Sequence, residues 1–132
     1  MTKPIRQSVI LPASPNVLFK TFLNSRLHSA MTGMPAKTFA KPGSKWRAFG
    51  GMIWGRNLLI IPNKLIVQAW RSKHFGKSDA DSIVVLSFTA ARYSTRIDLV
   101  HVNVPFQDYK GVSEGWPKFY WKPWKEYLRR SR

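Results

Sequence analysis

The chain has 132 residues, of which 44% are hydrophobic and 14% aromatic, and its 22 Lys and Arg against 6 Asp and Glu give a formal net charge of +16. This length fits one domain, residues 1–132, and the apolar content excludes a disordered chain, because disordered chains lack the hydrophobic side chains that offset the entropy of ordering. The absence of Cys excludes disulfides and thiolate chemistry, and no apolar run reaches the roughly 18 residues of a membrane span.

The positive charge is distributed along the whole chain and is not gathered in a tail. The first acidic residue is Asp79, and thirteen Lys and Arg precede it. Lys and Arg are threaded among apolar residues, so the folded body itself is positive, and an excess of this size indicates a negatively charged partner. Composition leaves three partners open, namely a nucleic acid or nucleoprotein, an anionic membrane, and an acidic protein. A charge that only serves solubility is the alternative without a partner.

The N-terminal residues predict a strand followed by two short helices. Ile5–Leu11 alternate as a strand does, and Pro12 ends it. Ser14 stands at the position of a helix N-cap and Pro15 at the first helical position, ahead of apolar residues at helical spacing. Arg26–Met31 predict a second short helix that stops near Gly33.

The same N-terminal stretch has the composition of a mitochondrial import signal. The first 34 residues contain four cations, several Ser and Thr, and no acid. Because these residues also predict elements of the domain, such a signal would have to remain uncleaved. We therefore expect an intracellular protein, in the mitochondrial matrix or, as the alternative, in the cytoplasm.

Residues 37–104 predict an antiparallel meander, because short apolar runs alternate with turn residues. The predicted strands are Lys45–Phe49, Met52–Ile61, Lys64–Ser72, Ser82–Ala91 and Thr95–Val104. In the last strand the apolar residues change face, which predicts a β-bulge near Leu99. Asp79 and Asp81 fall in a turn, where they favour turn chemistry over a metal site.

The last 25 residues predict an amphipathic helix. At about 100° per residue, one side is largely aromatic and the opposite side is basic. The first side carries Trp116, Tyr120, Pro123, Trp124 and Tyr127. The second carries Lys118, Lys122, Lys125, Arg129 and Arg132. Pro123 predicts a kink or a local loss of backbone hydrogen bonding, and Pro117 predicts either the start of the helix or a second bend.

Three segments resemble one known family. They are Leu27–Gly33 (LHSAMTG), Phe49–Arg71 (FGGMIWGRNLLIIPNKLIVQAWR) and Glu114–Leu128 (EGWPKFYWKPWKEYL). They are similar to the domain at the C-terminus of the activator of the ninety-kilodalton heat-shock chaperone ATPase, a domain also found in small stand-alone homologues. The resemblance runs from about Ile5 to Leu128. It implies an α+β helix-grip fold of the START-like and birch-pollen-allergen-like type, in which a curved antiparallel sheet with two short helices grips a long C-terminal helix.

The resemblance implies no single function, because homologues include chaperone co-factors and small-molecule binders. The chain departs from the family pattern in two respects. Its first two helices and early strands lack the acidic residues that relatives commonly carry, and Pro117 follows Trp116 where a helix-compatible residue is usual.

The histidines do not predict a catalytic site. His101 and Asp98 lie three residues apart on a strand, so their side chains point to opposite faces. His28 belongs to the helix motif and is predicted to be structural, while His74 lies in a basic loop and is predicted to be solvated. With no useful carboxylate pair and no phosphate-binding glycine loop, we expect no enzymatic activity, metal or cofactor.

The aromatic residues predict either the lining of an apolar ligand pocket beneath the helix or a core that fills this space. The set comprises Trp46, Phe49, Trp54, Trp70, Trp116, Phe119, Tyr120 and Trp124. Trp121, near the edge of the helical wheel, is the candidate for stacking on an exposed nucleic-acid base.

The first hypothesis from the sequence is a non-enzymatic structural or accessory subunit that docks on a polyanionic assembly, with RNA in a mitochondrial ribonucleoprotein as the preferred partner. The predicted phosphate-binding residues are Lys41, Lys45, Lys73, Lys77, Lys118, Lys122, Lys125, Arg129 and Arg130. One alternative is a domain that binds a small apolar ligand or regulates a chaperone ATPase. The other is an accessory subunit of an anionic-lipid-associated respiratory complex.

Overall fold

A computed structural model of the chain describes residues 2–131. Strand β1 spans Ile5–Leu11. Helix α1 spans Pro15–Leu23, and the Ser14 hydroxyl accepts the backbone N–H of Val17 at 3.3 Å, which confirms the predicted N-cap. Helix α2 spans Ser25–Thr32 and ends at Gly33, whose φ of 78° places it in the left-handed region that favours glycine.

The remaining strands are β2 (Lys45–Ala48), β3 (Ile53–Ile61), β4 (Leu65–Ser72), β5 (Ser82–Ala91) and β6 (Ser94–Val102). Within residues 2–131 they form, together with β1, a six-stranded antiparallel sheet in the order β1-β6-β5-β4-β3-β2. The predicted meander is confirmed, with each strand end within two residues of its predicted position. Strands β1 and β2 are the two edges of the sheet.

The bulge predicted near Leu99 is wrong. Strand β6 pairs in continuous register with both of its neighbours, and its inward residues are buried as far as His101. The change of face comes after the strand, where Asn103 adopts a φ of 63° and Val104 returns to the core. The pattern was misleading because Val100 is an apolar residue on the outer face of the sheet.

The register shift of the sheet lies in β3 instead, between Asn57 and Leu59. Asn57 is fully buried, its amide group donates to the carbonyl oxygen of Phe39 at 2.8 Å, and its Oδ1 accepts from Gln68 at 2.9 Å. Because of this shift Leu58 and Leu59 are both exposed, by 47% and 46%.

The C-terminal helix has three parts: α3 (Phe106–Trp116), a π-helical turn (Pro117–Trp121) and α4 (Lys122–Arg130). Pro117 therefore begins the widened turn inside the helix and does not start the helix. Because proline lacks an N–H, the carbonyl oxygen of Ser113 has no helical partner from position 117, and the side chain of Gln7 donates to it at 2.8 Å. Pro123 lies just after this turn within the continuous helix, where its missing N–H is the predicted local loss of backbone hydrogen bonding.

The π-helical turn alters which side chains face the sheet, because a π-helical turn holds about one residue more than an α-helical turn. Trp121 is only 6% exposed, and its indole N–H donates to the side-chain oxygen of Gln7 at 2.8 Å. The prediction of Trp121 as a base-stacking residue is therefore wrong.

The core lies between the helices and one face of the sheet. We call this face the concave face and the opposite face the convex face. Inward residues such as Leu86 and Leu99 meet Leu18 of α1 and Trp124 of α4 there. This arrangement is the predicted α+β helix grip. None of the helices within residues 2–131 combines the length and the apolarity needed to cross a lipid bilayer.

Candidate functional site

Aromatic rings fill the space between the C-terminal helix and the sheet. The ring centroid of Trp116 lies 5.0 Å from that of Tyr120 and 5.4 Å from that of Trp121. Trp124 is fully buried and stacks on Phe22 at 6.1 Å. Of the two predicted roles for the aromatic set, the structure supports a filled core. The buried members are Trp46, Trp70, Trp116, Tyr120 and Trp124, and Phe49 is half-buried beside them.

Trp54 and Phe119 lie outside the core, contrary to prediction. The alternation of β3 places Trp54 on the convex face, opposite Arg47 and Arg71, where it is 38% exposed. Phe119 lies in the π-helical turn, is 49% exposed, and packs edge-on against Phe49 at 5.9 Å.

His28 connects α1 and α2 to the C-terminal helix. Its Nδ1 lies 2.8 Å from the carbonyl oxygen of Phe22, and its Nε2 lies 2.9 Å from the hydroxyl of Tyr120. Because a carbonyl only accepts, the neutral ring carries its proton on Nδ1 and accepts the Tyr120 hydroxyl at Nε2. Burial lowers the pKa of His28 to about 4, although the bond to Phe22 opposes this shift. Burial also raises the pKa of Tyr120. His28 therefore has the structural position predicted for it.

His101 forms a second buried hydrogen-bond chain. The indole N–H of Trp116 donates to Nδ1 at 3.1 Å, so the neutral ring carries its proton on Nε2 and donates to the Ser82 hydroxyl at 2.8 Å. That hydroxyl donates to the carbonyl oxygen of Trp70 at 2.7 Å. The ring therefore does not accept the serine proton, as a general base would have to do. Burial lowers the pKa of His101 to about 3.

Asp79 and Asp81 stabilise the connection between β4 and β5 through hydrogen bonds and an ion pair. The Asp79 carboxylate accepts the backbone N–H of Gly76 at 2.6 Å and the side-chain amide of Gln107 at 2.9 Å, and the first of these bonds is the main cause of its lowered pKa. Asp81 forms an ion pair with Arg71 at 3.1 Å. Over residues 2–131, His, Cys, Asp and Glu side chains do not gather in groups of three that could hold a metal ion.

A groove of about 690 Å³ lies between the C-terminal helix and the edge strand β1. Three consecutive residues of β1, from Gln7 to Val9, form one wall, so the groove follows the edge of the strand. The cations of the other wall are Lys122, Lys125 and Arg129. All three are exposed and belong to the predicted phosphate-binding set. Glu126 is the acidic residue of the lining, so the groove carries a net positive charge.

The other predicted phosphate-binding residues are exposed but lie in separate places. The residues elsewhere on the helix are Lys118 and Arg130, those near the opposite edge strand β2 are Lys41 and Lys45, and those in the connection after β4 are Lys73 and Lys77. The connection after β4 also carries the exposed His74. Arg132 lies outside the described residues.

Several cations on the convex face other than Lys45 are missing from the predicted site residues. In the sheet register, Arg47 and Arg71 flank Trp54, and Arg6 lies opposite Val100. The available signal was the two-residue period of the strands, which places these side chains on the face away from the core.

The structure is that of a helix-grip domain with a filled core, a cationic groove and a cationic exterior. Residues 12–129 match the family described as "Activator of Hsp90 ATPase homolog 1-like protein", and the chain belongs to this family.

Relatives with curated descriptions agree with this assignment. The human activator of 90 kDa heat shock protein ATPase homolog 1 is 26% identical over 113 residues, which cover 86% of this chain and 33% of the human protein. An uncharacterized protein of Schizosaccharomyces pombe is 26% identical over 124 residues, which cover 94% of this chain and 37% of that protein. The chain thus spans about a third of the length of these relatives.

Solved structures confirm the helix-grip fold. An HSP90 activator from Plasmodium falciparum superposes with a TM-score of 0.83 at 23% identity, covering 90% of this chain and 91% of that one. A protein from Mesorhizobium loti superposes with a TM-score of 0.84 at 18% identity, covering 98% and 99% of the two chains.

Proposed function

We propose that the protein binds an Hsp90-type chaperone and regulates its ATPase, and that its cationic exterior contacts acidic regions of that chaperone. The observation that carries the proposal is the filled core. Aromatic rings occupy the space in which a helix-grip domain can hold a small apolar ligand, so binding is left to the outer surface. Family membership and the name of the human relative supply the class of partner.

The groove beside β1 is the part of this exterior with a defined shape. Lys122, Lys125 and Arg129 line it beside the edge of a strand. Cations that line a groove concentrate the positive potential there and speed the encounter with an acidic partner. Salt screens this effect. The groove therefore contributes mainly to the association rate and to the choice of partner.

The test measures the ATPase rate of a purified Hsp90 chaperone as this protein is added. We expect a saturable change in rate that requires more protein as salt rises from about 50 to 200 mM, because screening shortens the reach of surface charges. The triple variant Lys122→Glu, Lys125→Glu and Arg129→Glu should weaken the effect. Its matched control, Lys3→Glu, Lys20→Glu and Arg92→Glu, changes the net charge equally at exposed positions outside the groove and should retain it.

The same variants test the hypotheses of RNA and lipid binding. Single-stranded RNA and vesicles with and without cardiolipin are titrated in the same salt series. Salt-dependent RNA binding that the groove variant loses, with no effect on the chaperone, would replace the present proposal with the ribonucleoprotein role. Absence of any chaperone binding at low salt would also reject the proposal.

A further inference from the structure

The convex face of the sheet is apolar at its centre. An antiparallel sheet with one face in water normally alternates apolar and polar residues, but the central strands here are apolar on both faces. The outward side chains form three rows that run across the strands. Within each row, residues on neighbouring strands lie directly opposite each other. The first row is Leu59, Val67, Val85 and Val100, the second is Ala69, Ile83 and Val102, and the third is Ile61 and Leu65. We call these nine residues the convex patch.

Helices within residues 2–131 do not cover the convex patch. Its outer members Leu59 and Ile61 are 46% and 42% exposed, and Val67, Val85 and Val100 are half-buried by their neighbours within the sheet. Contacts between helices and sheet lie on the concave face, for example between Phe19 and Phe88 at 5.9 Å, between Trp116 and His101, and between Trp121 and Gln7. Leu65, Ile83 and Val102 are likewise half-buried, and Ala69 is 7% exposed. A contiguous apolar surface that reaches water in this way is typical of an interaction site.

Cations border the convex patch on both sides. Lys45 and Arg56 lie opposite each other at the end of the second row, and Arg6 lies opposite Val100 at the end of the first. The carboxylate that faces outward on β6, Asp98, already accepts hydrogen bonds from the hydroxyl of Ser8 and the guanidinium of Arg96. Complementary carboxylates therefore have to come from a partner.

We propose that the convex patch is the docking surface for the partner protein, and that the partner presents an apolar centre bordered by carboxylates. This proposal rests on the proposed function and names the surface through which it acts. Apolar burial at the centre supplies affinity, while the bordering cations fix the orientation and exclude partners without acidic residues.

Charge and shape favour an acidic protein partner over RNA, a second copy of this chain and a lipid bilayer. RNA offers phosphates, which bind cations, and planar bases, which stack on aromatic rings, whereas the nine residues of the patch are aliphatic. A second copy of this chain would place cations against cations. The patch consists of short aliphatic side chains and lacks the aromatic side chains that anchor proteins at a bilayer interface.

The test is calorimetric titration of a purified Hsp90 chaperone with the full chain. The variant Leu59→Gln, Val67→Thr and Val85→Thr makes the patch polar while retaining two β-branched residues. We expect its affinity to fall by about tenfold or more, as for the loss of an interface centre. Its binding heat capacity should be less negative, which indicates less apolar burial. The control Ile10→Thr removes a 62% exposed apolar side chain outside the patch and should bind like the parent.

The outcomes separate this proposal from the proposed function. If the parent and the patch variant bind equally while the groove variant is weakened, the convex patch is not the docking surface and the proposed function stands. If the parent does not bind the chaperone, both fail. If the parent self-associates in sedimentation and the patch variant does not, or if vesicles bind through the patch, the partner is wrong and the proposal falls. Should the triple variant unfold, Val85→Thr alone replaces it, with an expected loss of about threefold from one methyl group.

Discussion

The two faces of the sheet carry similar side chains in different surroundings. On the concave face, Leu86 and Leu99 are buried beneath Trp124 and its neighbours. One residue along the same strands, Val85 and Val100 form a convex surface that no helix covers within residues 2–131. Apolar character alone therefore does not identify the core side of a strand that is apolar on both faces. The concave face stabilises the fold, and the convex face with its border of cations is available for recognition.

The largest loss of stability is expected from a substitution at Gly55, which disrupts packing on the concave face. A Cβ atom at this position would lie 1.8 Å from the carbonyl oxygen of Ala69 and 3.0 Å from the indole nitrogen of Trp46. Gly55→Ala would therefore force β3 and β4 apart, and we expect the free energy of unfolding in urea to fall by about 3 kcal/mol, the upper end of the usual cost of overpacking. The control Gly111→Ala lies in α3 and should raise it by up to about 1 kcal/mol. An unchanged midpoint for Gly55→Ala would contradict this close approach.

The second prediction is that acid lowers the stability of the fold, because His28 and His101 are buried on the concave side in their neutral form. In the folded protein the pKa values of His28 and His101 lie at about 4 and about 3, below the 6.5 of a solvated histidine. Below pH 6.5 the unfolded chain therefore binds protons that the folded chain does not, so the free energy of unfolding falls as pH decreases from about 6.5 towards 4. Urea unfolding at several pH values measures the slope.

Substitutions of single histidines test which residues cause this dependence of the free energy of unfolding on pH. His28→Gln and His101→Gln should each reduce the slope, because each removes one buried imidazole with a lowered pKa. Solvated carboxylates titrate near pH 4, so these groups contribute mainly below the window. A free energy of unfolding that stays constant between pH 7 and 4.5 would show that neither histidine is buried in its neutral form.

A third, smaller effect is expected from Tyr120→Phe, which removes the hydroxyl that donates to Nε2 of His28. A buried acceptor without a donor costs about 1 to 3 kcal/mol in the free energy of unfolding. Tyr93→Phe is the matched control, because Tyr93 is 83% exposed. Equal stabilities of the two variants in chemical denaturation would contradict a contribution of this buried hydrogen bond to stability.

The smallest effect is expected on the convex face, and two adjacent residues of β5 provide the comparison. Val84 is fully buried on the concave face, and Val85 is half-buried on the convex face. Val84→Thr should lower the free energy of unfolding by about 1 to 3 kcal/mol, because its hydroxyl would be buried without a partner. Val85→Thr should change it by less than about 0.5 kcal/mol. If both variants lose the same stability, the convex face is packed like a core.

The sequence was sufficient to predict the order of the elements, because caps, turn residues and apolar spacing are local signals. It failed where a distant contact determines local geometry. The helical wheel assumed constant rotation, but the π-helical turn after Pro117 is held by hydrogen bonds to Gln7, which lies at the other end of the chain. Trp121 was misplaced for this reason.

The candidate site was predictable only in part, for a similar reason. The cations of the C-terminal helix are exposed, as expected from their spacing. Their position beside β1 depends on sheet topology, which brings the first and last elements together. The convex patch was missed because a strand that is apolar on both faces, such as Ser82–Ala91, does not itself indicate which face the helices cover.

Methyl NMR of the full chain with labelled Ile, Leu and Val side chains tests the contrast between the two faces most directly. On addition of a purified Hsp90 chaperone, we expect methyl signals of Leu59, Val85 and Val100 to shift or broaden, while those of Leu86 and Leu99 remain in place. Perturbation of the concave methyl groups with a silent convex face would contradict the account.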